Sequence, residues 1–184
     1  MNLAAEPRDQ ARARPWAVPA AVALGCVALA ARSISLVAMA PTVAVGVLGL
    51  AGTVGKRHAE HASRARIVVV TVLGVSAVAL VRAIAPPIHA VYTGEAVVVN
   101  VVAAIAEEAF FRRFVYGWLA ARSESYAIAG AAALFALIHV PLYGFGVLPI
   151  DFAAGLLLGW QRRESGTWMS PAITHVFANI LQMR

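Results

Sequence analysis

The chain has 184 residues, 61% of them hydrophobic and only 13% charged, with a mean hydropathy of +0.77. Soluble domains average roughly 45–50% apolar residues, so this composition excludes an ordinary water-soluble globule and is that of an integral membrane protein. The net charge of +6 does not point to nucleic acid, because the basic residues are scattered between apolar segments and form no single basic face.

Residues 1–15 are polar, basic and proline-containing, and are expected to be a cytoplasmic tail that carries no site. Apolar segments follow at 16–31, 34–54, 67–81, 97–121, 126–140, 145–160 and 167–183. Each is close to the ~17–25 residues that cross hydrocarbon, though several are short. The expected fold is therefore all-α, a polytopic transmembrane bundle of about seven helices. The first segment has a second reading: basic residues, a short apolar stretch and Ala28-Leu29-Ala30 also resemble a secretory signal with its cleavage site. Cys26, the single cysteine, excludes an intramolecular disulfide and is a small packing residue.

Topology follows from the cations. An N-terminus inside places Arg8, Arg12, Arg14, Lys56, Arg57, Arg64, Arg66, Arg122, Arg162 and Arg163 on the cytoplasmic side, and Arg32, Arg82 and Arg184 outside. That asymmetry fits the positive-inside rule and predicts a multi-pass inner-membrane protein with a cytoplasmic N-terminus. His58 and His61, in the basic loop at 56–66, are surface residues at a spacing that also suits metal. Pro86 and Pro87 break the chain after the third span.

Within the fourth span stand Glu107 and Glu108, with Arg112 four residues after the second. Ionised side chains in hydrocarbon are expensive, so they pair, face a watery cavity and mark function. On a helix Glu108 and Arg112 share a face and neutralise each other, whereas Glu107 points about 100° away with Asn100, Phe111, Phe114 and Trp118. Without a cation on its own face, Glu107 is the candidate general base. Arg113, on another face, is expected to snorkel to the headgroups. His139 closes the next span, four residues after Phe135. On the last span His175 and Asn179 are one turn apart and project into the same space, as donors to a developing oxyanion or as helix-to-helix hydrogen bonds. Asp151 either caps its helix, lines an entrance or orients a histidine; Gly155 and Gly159 follow it at four-residue steps as a close-packing seam. Ser170 before Pro171 has the form of an N-cap.

EEAFFR at 107–112, FALIH at 135–139 and HVFAN at 175–179 together resemble the three motifs of the CAAX-protease and bacteriocin-processing family of intramembrane glutamic endopeptidases. FAAGLLLGW at 152–160 and GTWMSPAITHVFAN at 166–179 are also similar to that family, so the likeness covers about residues 95–181. The resemblance implies catalytic roles for Glu107, His139, His175 and Asn179, supported by Glu108 and Arg112. Glu107 would activate a water that His139 positions, and His175 with Asn179 would hold the oxyanion. It divides the chain into a tail at 1–15, N-terminal spans of unassigned role at 16–94, and a catalytic core at 95–184. It implies no cofactor, although a glutamate and two histidines with one water also satisfy a catalytic zinc site. Expected partners are membrane lipids and a peptide or protein substrate with a hydrophobic or lipidated segment, and no nucleic acid.

Removal of a C-terminal sorting segment, or maturation of a bacteriocin, fits such a protease as well as CAAX cleavage does. Two other classes compete: a non-catalytic scaffold or immunity protein, and a small transporter or proton relay, against which the lack of inverted repeats argues. One geometric demand follows. Along a straight helix Glu107 lies roughly 18 Å from the outer start of its span at 1.5 Å per residue, whereas His139 falls near the outer end of its own, so one helix must be shifted, tilted or broken for them to meet.

Overall fold

The computed structural model describes residues 16–32, 39–52, 62–84 and 93–182, and every regular element among them is helical. Helix α1 is Ala17–Ala30, α2 is Ala40–Ala51, entered through Pro41 in its first turn, and α3 is Arg64–Ile84. Helix α4 is Gly94–Glu108, opened by Thr93, whose hydroxyl accepts from the Ala96 N–H at 3.2 Å. It runs without interruption into a π-helical stretch, Ala109–Val115, and then α5, Tyr116–Ala120. Helix α6 is Glu124–Tyr143, capped by Ser123, whose hydroxyl accepts from the Tyr126 N–H at 3.1 Å. After one 3₁₀ turn at Phe145–Val147 come α7, Leu148–Ser165, and α8, Met169–Gln182. Gly166, at φ 66°, ends α7 in the left-handed conformation that suits glycine.

With α4, the π stretch and α5 as one rod, the described residues form seven rods, in agreement with the helical bundle expected from the sequence. The expected tail at 1–15, the loop histidines His58 and His61, and Pro86 and Pro87 lie outside the described residues. By length and composition α3 and α6 suffice to cross a bilayer, with mean hydropathies of 2.5 and 1.7. Burial runs opposite to that of a soluble protein. Val68, Val69, Val72, Leu73, Leu80 and Val81 are all exposed along α3, while Glu107, Glu108, Arg112, Gln161, Ser165, Ser170 and Thr174 are buried. Such an apolar exterior is stable against lipid.

Small residues set the helix spacing. Gly49 of α2 sits so close to the Ala109 backbone that an added Cβ would come within 2.4 Å of its carbonyl carbon. The expected seam on α7 packs on α6, with Gly155 against Ala132 and Gly159 against Ile128. Phe110, Phe111, Phe114 and Phe135 pack with Leu29 as the apolar core beside the buried charges. Ser170 departs from its expected role. It lies inside α8, and its hydroxyl is 2.6 Å from Thr71 Oγ1 on α3; the Met169 N–H that begins the helix donates to Thr167 Oγ1 at 3.2 Å. Arg113 is half-buried and donates to the Gly49 carbonyl near the end of α2 at 3.2 Å.

Candidate active site

The demand on depth is met by counting from the turn that joins α5 to α6. Glu107 lies thirteen residues from Ala120 and His139 fifteen from Glu124, so at 1.5 Å per residue both stand about 20 Å from that turn. Helix α6 continues through Pro141 to Tyr143, beyond the expected end, which leaves His139 inside it. The π stretch begins immediately after Glu108. π-Helical turns replace i→i+4 bonds by i→i+5 ones and recur at functional sites. Here the Arg112 carbonyl accepts from Arg162 Nε on α7 at 2.9 Å, so the local geometry is tied to a neighbouring rod.

Glu107 is buried and is not the unpaired carboxylate its helix face implied. Arg32, at the end of α1, donates from Nη1 to Glu107 Oε1, and its Nη2 is 3.0 Å from His139 Nε2. The cation expected outside the membrane is thus part of the cluster. His139 Nδ1 is 2.9 Å from the Phe135 carbonyl and 3.4 Å from Asp151 Oδ2. Since a carbonyl only accepts and a guanidinium only donates, these partners require a neutral imidazole with its proton on Nδ1 and its lone pair on Nε2. Glu107 Oε2 has no hydrogen-bond partner, and lies 3.7 Å from that lone pair.

Glu108 faces the other way. Its Oε1 is 2.9 Å from His175 Nδ1 on α8, and its Oε2 is 3.3 Å from Arg112 Nε, the pairing expected from their four-residue spacing. Arg112 is fully buried; it also donates to the Gly155 carbonyl at 3.3 Å and stacks over Phe135, 4.8 Å from the ring centroid. The Phe135 ring separates the two histidines, with centroids 4.8 Å from His139 and 5.5 Å from His175. Asn179 is less central, since its Nδ2 donates to the Asn100 carbonyl at 3.2 Å. Three rods therefore bring Glu107, Glu108, Arg112, His139 and His175 together, with Arg32 after α1 and Asp151 of α7 added by the fold.

Residues 89–181 match the family described as type II CAAX prenyl endopeptidase Rce1-like. The chain belongs to this family. No curated protein and no solved structure matches it. At the family level it is a membrane-embedded protease.

The Rce1-like match contains both glutamates, both histidines, Arg112, Asp151 and Asn179, but not Arg32. Nothing local in the sequence identifies Arg32, whose contact with Glu107 spans 75 positions. Asp151 had a signal, its place one turn after the Phe145–Val147 connection, which brings the carboxylate to His139. Among the described residues no group of three or more His, Cys, Asp or Glu side chains is arranged to hold a metal ion. Beside the cluster, an open apolar groove of about 380 Å³ runs between α6 and α7, lined by Ala136, Leu137, Leu148 and Phe152 among others. Ala136 is one residue from Phe135, and Phe152 is the neighbour of Asp151.

Proposed function

We propose that the chain is an intramembrane endopeptidase that cleaves a peptide bond with a water activated by Glu107. The observation that carries this reading is Glu107 Oε2, a buried acceptor without a hydrogen-bond partner, 3.7 Å from His139 Nε2 inside an apolar bundle. A buried polar atom left unsatisfied costs about 1–3 kcal/mol, so its retention calls for a reason, and a proton to be accepted is one.

In the proposed reaction the water gives a proton to Glu107 as its oxygen attacks the peptide carbon, and His139 orients it. Electrons of the C=O bond move to oxygen; on collapse the C–N bond breaks and the proton passes to the leaving amine. His175 is held by Glu108 through Nδ1, and a proton on its Nε2, with the second N–H of Asn179, would be available to the oxyanion. Arg112, buried against Glu108, holds that carboxylate in place.

The apolar groove beside Asp151 supports a substrate with a hydrophobic or lipidated segment. Orientation selects between two sources. Arg64, Arg66, Arg122, Arg162 and Arg163 gather at the α5–α6 turn end of the bundle, whereas Arg32, His139 and Asp151 lie toward the opposite end. By the positive-inside rule this multi-pass inner-membrane protein has its N-terminus in the cytoplasm and its site toward the outer face. That favours an exported peptide over a prenylated cytosolic one.

The reaction is tested with Glu107→Gln and His139→Ala in detergent, against a hydrophobic candidate peptide. Both are expected to abolish cleavage with little change in yield or Tm. Cleavage at the parent rate by either would remove the assignment and leave flux through proteoliposomes, the transporter reading, as the next measurement.

A further inference from the structure

Arg32 touches both groups assigned to the water, Glu107 through Nη1 and His139 through Nη2. It follows α1 by two residues, outside the region matched by the family, and only 11% of its side chain is exposed. A counter-ion for Glu107 has no need to reach His139 as well. A guanidinium that spans both stands beside any carbonyl whose carbon is within reach of a water held there.

We propose that Arg32 is a further catalytic residue, whose guanidinium receives the carbonyl oxygen of the scissile peptide and carries the negative charge that develops on it. This inference rests on the reading of the site as a glutamate-activated protease. Arg32 has five N–H donors and no acceptor, and the two contacts above leave three of them for an oxygen. In a dry site, a charged donor set in place before the reaction is among the strongest forms of transition-state stabilisation. It does here what a Lewis acid does in a metal protease: the carbonyl π electrons move to an oxygen already facing a positive charge while Glu107 takes the proton of the attacking water. The site therefore has two sources of oxyanion donors, with α8 on one side and α1 on the other.

The experiment uses the full chain in detergent micelles and the same hydrophobic candidate peptide in quenched fluorogenic form, cleaved by the parent, by Arg32→Gln, by Arg32→Lys and by Arg32→Ala with and without added guanidinium ion. Arg32→Gln is expected to lower kcat by about 10²–10³-fold with KM little changed. Arg32→Lys keeps a charge but loses the fork, and is expected to recover less than about a tenth of the parent rate. Guanidinium at non-denaturing concentration is expected to restore part of the Arg32→Ala rate without moving Tm, a response that a purely structural arginine would not give.

Three outcomes for the Arg32 variants overturn the proposal, the third being Arg32→Gln at the parent rate. Parent-level cleavage by Arg32→Lys would reduce Arg32 to a counter-ion, and faster cleavage by Arg32→Gln would make it a plug that blocks the site. Glu107→Gln, run beside them, separates the two levels of the claim. If Glu107→Gln is silent while Arg32→Gln matches the parent, only the role of Arg32 is lost; if Glu107→Gln itself cleaves, the protease reading is lost.

Discussion

Glu108 and His175 meet at 2.9 Å between Oε1 and Nδ1, so the second of two adjacent glutamates faces α8 while the first faces α6 and the end of α1. Neighbouring residues on a helix diverge by about 100°, and the pair uses that divergence to separate two tasks. Glu107 meets Arg32 and His139. Glu108 connects a fully buried arginine to a histidine on another rod.

Removing that connection has a calculable effect on stability. Glu108→Gln keeps the shape but leaves Arg112, which is 0% exposed, without its carboxylate. An uncompensated buried charge typically costs about 3–5 kcal/mol. Thermal unfolding in detergent is expected to show a clearly lower Tm for Glu108→Gln than for Glu107→Gln, whose cation Arg32 lies at a helix end. Equal Tm values would mean that Arg112 finds another partner.

Much of this cluster is legible in the sequence, and the reason is local spacing. The four-residue step from Glu108 to Arg112 and the one from Phe135 to His139 are both contacts in the fold. What is not legible depends on distant chain or on unusual backbone. Arg32 closes an apolar segment, where a basic residue is the ordinary mark of a membrane boundary, and its inward turn is set by Glu107 and His139, 75 and 107 positions away. The run Phe110 to Phe114 has no composition that separates a π stretch from an α-helix, and it is held by Arg162 on α7. The depth conflict between Glu107 and His139 came from counting toward the outer ends, where the rods have unequal lengths, and it disappears when the count starts from their shared turn.

Metal removal tests the chemistry independently. His139 Nε2 and Glu107 Oε1 face Arg32, and His175 Nδ1 faces Glu108, so three of the atoms a zinc ion could use already have other partners in different directions. Cleavage is expected to be unchanged by EDTA or 1,10-phenanthroline. A chelator-dependent loss that added zinc reverses would move the assignment to a metalloprotease.

Close packing of α2 on the π stretch links stability to the site. Gly49→Ala places a Cβ 2.4 Å from the Ala109 carbonyl carbon, and backbone on both sides leaves no flexible group to yield. Overpacking of this kind costs about 1–3 kcal/mol. Because Ala109 is two residues from Glu107, the same shift is expected to slow cleavage. Gly146→Ala, whose added Cβ meets nothing within 4 Å, is the control and is expected to match the parent in both Tm and rate.

Orientation decides which substrates the site can meet, and the single cysteine makes it measurable. In a Cys26→Ser background, a lone cysteine replacing Arg122 marks the arginine-rich turn between α5 and α6, and one replacing Gly146 marks the connection between α6 and α7 near His139 and Asp151. The positive-inside rule predicts that a membrane-impermeant maleimide labels the Gly146 site on intact spheroplasts and reaches the Arg122 site only after permeabilisation. This pattern would place the catalytic cluster toward the outer face and direct the search for substrates to exported peptides. The reverse pattern would turn the same cluster toward the cytoplasm, where a lipidated C-terminal peptide lying against the inner leaflet could enter along the apolar groove between α6 and α7.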